Sequence, residues 1–202
     1  MKTLMIALLV ALTNVSLADN PANKMAIGSN ALLTEAEMKD VSGTMFSIDK
    51  VKQENGVLVL FSSNTCPFVL KWEGRYNELK KWGEKHKVGF IVLNSNHQNR
   101  SGVDSFEAMQ KHAAEKKYDF PYVLDADSKI ANAFGGQTTP HAFLFDKNGQ
   151  LAYKGAIDDN YDDASAVKKA YVKEAIASLS SGKKIEVQET KPVGCSIKRK
   201  LD

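Results

Sequence analysis

Cys66 stands in the stretch Ser63-Asn64-Thr65-Cys66-Pro67-Phe68-Val69, behind an apolar run and directly before a proline. A dithiol enzyme with two intervening residues would carry its second cysteine at position 69, where Val69 stands. A mixed disulfide on Cys66 therefore has no local thiol to release it, and a resolving thiol must come from elsewhere in the chain or from another molecule. The only other cysteine is Cys195, near the C-terminus. Only a thiolate attacks, and a cysteine that opens a helix is held in that form by unpaired backbone N–H groups and the helix dipole. The chemistry available is attack by one thiolate, with Cys195 as the candidate to resolve the product. The bland alternatives are a buried, inert Cys66 and a tail cysteine that forms a static disulfide or pairs with nothing.

The surrounding pattern predicts the elements that hold Cys66. Residues 56–63, GVLVLFSS, form a continuous apolar run, as expected of a strand buried on both faces. From Pro67 to about His86 the residues Val69, Trp72, Tyr76, Leu79 and Trp82 recur at steps of three and four, which predicts an amphipathic helix with Pro67 in its first turn. A second buried strand spans 88–96, followed by a polar loop and a helix from Ser105 to about Tyr118. This alternation predicts a parallel strand pair joined by a right-handed crossover. After a short helical piece at 128–136, two strand-like runs flank Asp146-Lys147-Asn148-Gly149, a hairpin signal. A last helix is expected over about 163–181, ending at Gly182, and the Ser-Gly turn inside 38–48 suggests an N-terminal hairpin.

Residues 1–18 read as a secretory signal peptide, with Lys2, an apolar run too short to span a bilayer, and Ser16-Leu17-Ala18 before the cleavage point. This predicts a periplasmic or secreted protein with no membrane span. Removing the leader takes away Lys2 and no acidic residue, so the formal charge of +3 falls by one to +2. That balance predicts no nucleic-acid or other polyanionic partner. Trp72, Trp82 and Tyr76 fit a core stripe rather than a platform for bases. The expected organisation is a signal peptide at 1–18, a flexible lead-in at 19–30, one domain at 31–182 and a polar tail at 183–202 carrying Cys195.

The order of elements is that of the thioredoxin fold, and the chain resembles the redoxin, or peroxiredoxin-like (AhpC/TSA), branch of that superfamily. The resemblance rests on Asn64-Thr65-Cys66-Pro67-Phe68-Val69, Asn94-Ser95-Asn96, Thr139-Pro140-His141-Ala142-Phe143-Leu144-Phe145-Asp146, Ile157-Asp158-Asp159 and Gly194-Cys195-Ser196-Ile197-Lys198. It implies an α/β fold with a central mixed sheet flanked by helices, extended here by the N-terminal hairpin, and a cis Pro140 facing Cys66. In that geometry Cys66 and the Asn94 loop share one sheet edge, to which Pro140 and Asp158 are also brought. Catalytic Cys66 and Cys195 would then be supported by Ser63, Asn64, Thr65, Pro67, Asn94, Thr139, Pro140 and Asp158.

The implied activity is thiol-dependent peroxide reduction without a cofactor, with electrons from an external thiol reductant. Peroxiredoxins carry Pro-x-x-x-Thr/Ser-x-x-Cys; Ser63 fills the hydroxyl position, but Val59 replaces the proline. Their site also uses an arginine, for which Arg75 and Arg100 are candidates. The alternatives are monothiol-disulfide exchange with client proteins, in which the Thr139-Pro140 loop pairs with an extended peptide, and a binding module without turnover. His141 is expected to be a packed strand histidine. A copper-delivery redoxin needs a second cysteine at position 70, where Leu70 stands, so no metal is expected.

Overall fold

The structure, a computed structural model, describes residues 25–201; the expected signal peptide and the first part of the lead-in lie outside the described residues. Strands β1 (Met38–Asp40) and β2 (Met45–Phe46) form the N-terminal hairpin, followed by α1 (Ile48–Val51) and β3 (Gly56–Ser62). Then come α2 (Pro67–Trp72), α3 (Tyr76–Lys85), β4 (Val88–Asn94), α4 (Phe106–Glu115), β5 (Tyr122–Leu124) and α5 (Lys129–Phe134). A short β6 (Thr138–Thr139) precedes the β7 (His141–Asp146) and β8 (Leu151–Gly155) hairpin, the helix α6 (Tyr171–Ser180) and a last strand β9 (Cys195–Ser196).

Seven strands make one mixed sheet in the order β2-β1-β5-β4-β3-β7-β8, with β3, β4 and β5 parallel and β7 antiparallel to β3. Alternate residues of β3 enter opposite cores. Leu58 and Leu60 pack with Trp72, Tyr76 and Ile176, while Val59 and Phe61 pack with Phe134 on the other face. Both faces being covered is why the strand reads as an unbroken apolar run. The parallel register sets Ser62 beside Asn94, and the antiparallel register sets Phe61 beside His141. The loops after β3, after β4 and before β7 therefore meet at one sheet edge.

Four elements differ from the sequence expectation. The single helix from Pro67 breaks at a 3-10 turn, Glu73–Arg75, where Gly74 is a weak helix former and the buried Glu73 carboxylate turns inward to His112, Tyr118 and Lys116. The last helix starts at Tyr171, because Asp159 and Asp163 bind the backbone of the preceding loop: Asp159 accepts the Lys168 N–H and Asp163 that of Ser165. Strand β5 gave no periodic signal at three residues. Lead-in residues 25–30 are not loose: Met25 is buried and the Gly28 N–H donates to Leu151 O.

The C-terminal segment is also docked, despite its polar composition. Lys154 and residues 188–190 exchange backbone hydrogen bonds, Ile185 and Ile197 are buried, and β9 pairs antiparallel with β6, Thr138 opposite Ser196 and Thr139 opposite Cys195.

Candidate active site

Cys66 caps α2 in an extended conformation, with Pro67 following in the first turn. Its Sγ lies 3.0 Å from the carbonyl oxygen of Thr139 and 2.8 Å from the Sγ of Cys195, both cysteines being free thiols. The Thr139-Pro140 bond is cis. The two thiols meet because β9 adds to the backbone of Thr138-Thr139, next to the cis proline. Gly194 permits that approach: a Cβ there would lie 2.2 Å from the Thr139 carbonyl oxygen. The G-C pair of the tail thus has a steric reason.

Burial opposes the Cys66 thiolate. Hydrogen bonds from the Cys195 thiol, from the amides of Val69 and Cys195 and from the Thr139 hydroxyl outweigh it, and the thiol ionises below its ordinary value. Burial also acts on Cys195, and with the anionic Cys66 beside it pushes that thiol up to about 11. Cys66 therefore gives up its proton more readily than Cys195. Cys66 is 6% exposed, whereas Cys195 is half-buried.

The other sequence-derived candidates divide into four groups. Ser63 and Thr139 share a hydroxyl hydrogen bond of 3.3 Å at the thiol, and cis Pro140 follows. Asn64 and Asn94 lie one layer back: the Asn64 amide and the Asn94 side chain both donate to Asp104, at 2.9 and 2.8 Å. Thr65 and Pro67 are exposed beside Cys66. Asp158 does not contact the thiol; it accepts from Trp72 Nε1 at 2.9 Å and pairs with Arg75, and so fixes the helix that Cys66 opens.

Neither candidate arginine has a guanidinium aimed at the sulfur. Arg75 is committed to Asp158 and the Asn160 carbonyl, and Arg100 donates to the carbonyls of Asn94 and Asp104. His141 is buried against Phe143 and accepts the Gln137 N–H, as a packed strand histidine would. Among the described residues no cluster of three or more His, Cys, Asp or Glu could hold a metal ion. Sequence reasoning missed Asp104, a fully buried carboxylate in a polar loop, because nothing in the linear pattern separates it from a solvated loop aspartate.

Residues 20–171 match the family model named Redoxin. The chain belongs to the Redoxin family. This redoxin is accordingly a thiol-based oxidoreductase of thioredoxin-like fold, as the sequence resemblance implied. Among solved structures it is similar to a hypothetical protein from Sinorhizobium meliloti at 26% identity and TM-score 0.80, covering 89% of this chain and 98% of that one. It is also similar to an uncharacterized conserved protein from Geobacillus kaustophilus at 28% identity and TM-score 0.81, covering 89% and 95%. A peroxidoxin from Mycobacterium tuberculosis shares the fold at 17% identity and TM-score 0.60, covering 78% of this chain and 97% of that one. Comparison with curated proteins finds no match.

Proposed function

We propose that this redoxin is an exported thiol peroxidase in which Cys66 is oxidised by a hydroperoxide and Cys195 of the same chain resolves the product. The observation that carries the reading is the 2.8 Å contact between the two sulfurs, of which Cys66 is the one that ionises below its ordinary value. In the first step the Cys66 thiolate attacks the outer peroxide oxygen, the O–O bond breaks, and the alcohol or water leaves with a proton, giving a sulfenic acid. Cys195 then attacks that sulfur; the S–O bond breaks, hydroxide takes the Cys195 proton to leave as water, and a disulfide forms. Two equivalents of an external thiol restore the dithiol and leave as a disulfide.

Accessibility supports a small oxidant at Cys66, since a cysteine 6% exposed beneath a docked strand admits a hydroperoxide more readily than a folded client. The reductant would attack at the more exposed Cys195. A second reading, disulfide exchange with client proteins, is favoured by the two arginines, both committed away from the thiol. The two separate in a steady-state assay with dithiothreitol as reductant. A peroxidase consumes hydrogen peroxide far faster than the Cys66→Ser variant; equal rates sink that reading, and trapping of client disulfides on the Cys195→Ser variant would then support exchange.

Export rests on residues 1–18, and the family match beginning at residue 20 fits a mature chain starting at Asp19. N-terminal sequencing of the protein from the periplasm or medium tests it. An intact Met1 in a cytosolic fraction would contradict it. Among the described residues no helix is long and apolar enough to cross a membrane.

A further inference from the structure

The two thiols are separated by 129 residues of sequence, so their contact depends on whatever fixes both backbones relative to one another. Asp104 touches both routes. Its Oδ1 accepts the amide N–H of Asn64 at 2.9 Å and the side-chain amide of Asn94 at 2.8 Å. Its Oδ2 accepts the side-chain amides of Asn96 at 3.0 Å and of Asn99 at 3.3 Å. Asn64 lies just before Cys66, and its side chain is further held by the Val103 carbonyl and the Tyr122 hydroxyl, each at 2.8 Å. On the other side Asn96 Oδ1 accepts the Lys198 N–H at 2.9 Å, and the Gln98 N–H reaches the Lys198 carbonyl at 3.0 Å, just beyond Cys195.

Every partner of the Asp104 side chain is an N–H donor, so the site requires an acceptor at both oxygens; an amide in its place would set an NH2 group against donors. The Arg100 guanidinium, bonded to the main-chain carbonyls of Asp104 and Asn94, brings a positive charge to the buried carboxylate. Such a hub is more than loop support, because its two oxygens serve two segments that are far apart in sequence and meet at the sulfurs.

We propose that Asp104 is the positioning residue of the two-thiol couple: through Asn64 it fixes the loop carrying Cys66, and through Asn96 it fixes the tail carrying Cys195. The inference rests on the reading of Cys66 and Cys195 as a redox couple. Holding both backbones raises the effective concentration of one thiol at the other, and so favours the intramolecular disulfide over mixed ones.

The test is the equilibrium of the mature protein with a glutathione buffer, in which the dithiol and oxidised glutathione exchange to the Cys66–Cys195 disulfide and two reduced glutathiones. In each exchange a thiolate displaces a glutathione thiolate, which takes up the proton. Quenched samples are read by intact mass, so the readout is a redox potential rather than stability. Asp104→Asn should lower the equilibrium constant for the disulfide tenfold or more, and Asn96→Ala should lower it at least threefold. Because Asn96 acts through Asp104, the double variant should show the same constant as Asp104→Asn alone.

An Asp104→Asn constant within twofold of wild type, or single effects that multiply in the double variant, would overturn the proposal. If Asp104→Asn does not fold, Asn64→Ala and Asn96→Ala each cut one branch, and a wild-type constant in either overturns it as well. A wild-type protein that gives only glutathione adducts defeats the redox couple itself, and the inference with it. A wild-type disulfide with unresponsive variants defeats the inference alone.

Discussion

At the scale of single residues the chemistry comes down to which sulfur holds the charge. Burial opposes ionisation of Cys66, but donors, Cys195 first among them, overcome it, so the thiol ionises below its ordinary value. The alkylation rate of Cys66 with iodoacetamide should therefore rise with pH through a midpoint below that value. Replacing Cys195 with alanine removes the strongest of those donors, so the midpoint should move up; an unchanged midpoint in Cys195→Ala would show that the second thiol does not stabilise the first. Cys66 could be picked out from its place between an apolar run and a proline. Asp104 could not, because a buried acceptor among asparagines has no sequence signature distinct from an exposed turn.

At the scale of elements the site is made by strand register. The β3 to β4 pairing aligns Ser62 with Asn94, and the β6 to β9 pairing aligns Thr139 with Cys195. The parallel core and the β7 to β8 hairpin were legible, since buried strands and an Asn-Gly turn leave strong local patterns. The docking of β9 was not, because a two-residue strand in a polar tail carries no periodicity and its place is set by Gly194 lying against Thr139. The break at Glu73–Arg75 was hidden for a related reason: apolar residues keep helical spacing across it, while an inward carboxylate decides the turn. Gly194→Val should displace β9 and slow formation of the Cys66–Cys195 disulfide at least tenfold. The thermal transition should fall as well, since displacing β9 takes Ile197 out of one core and Val193 and Cys195 off the other. A wild-type rate of disulfide formation in Gly194→Val would mean that β9 pairing does not deliver Cys195.

At the scale of the whole molecule, stability is coupled to pH through Glu73, which ties the turn after α2 to α4. Burial raises its pKa, but the bonds from His112, Lys116 and Tyr118 win, so the folded value lies below the ordinary one. A depressed carboxylate contributes stability that is present above the unfolded value of about 4.3 and is lost as pH falls through the lower folded value. Glu73→Gln should thus destabilise the protein at neutral pH by about 1–3 kcal/mol, as expected for buried partners left unsatisfied, and the gap from wild type should close in acid. A pH-independent gap in denaturant titrations would assign the loss to packing alone. The central claim, that Cys66 and Cys195 turn over as one intramolecular couple driven by peroxide, is tested most directly by intact-mass spectrometry of the reduced mature protein, quenched over seconds after a stoichiometric dose of hydrogen peroxide. Rapid loss of two hydrogens is expected from the wild type, and a sulfenic or over-oxidised Cys66 in Cys195→Ser. Thiols that react no faster than free cysteine, or a disulfide formed only between chains, would contradict it.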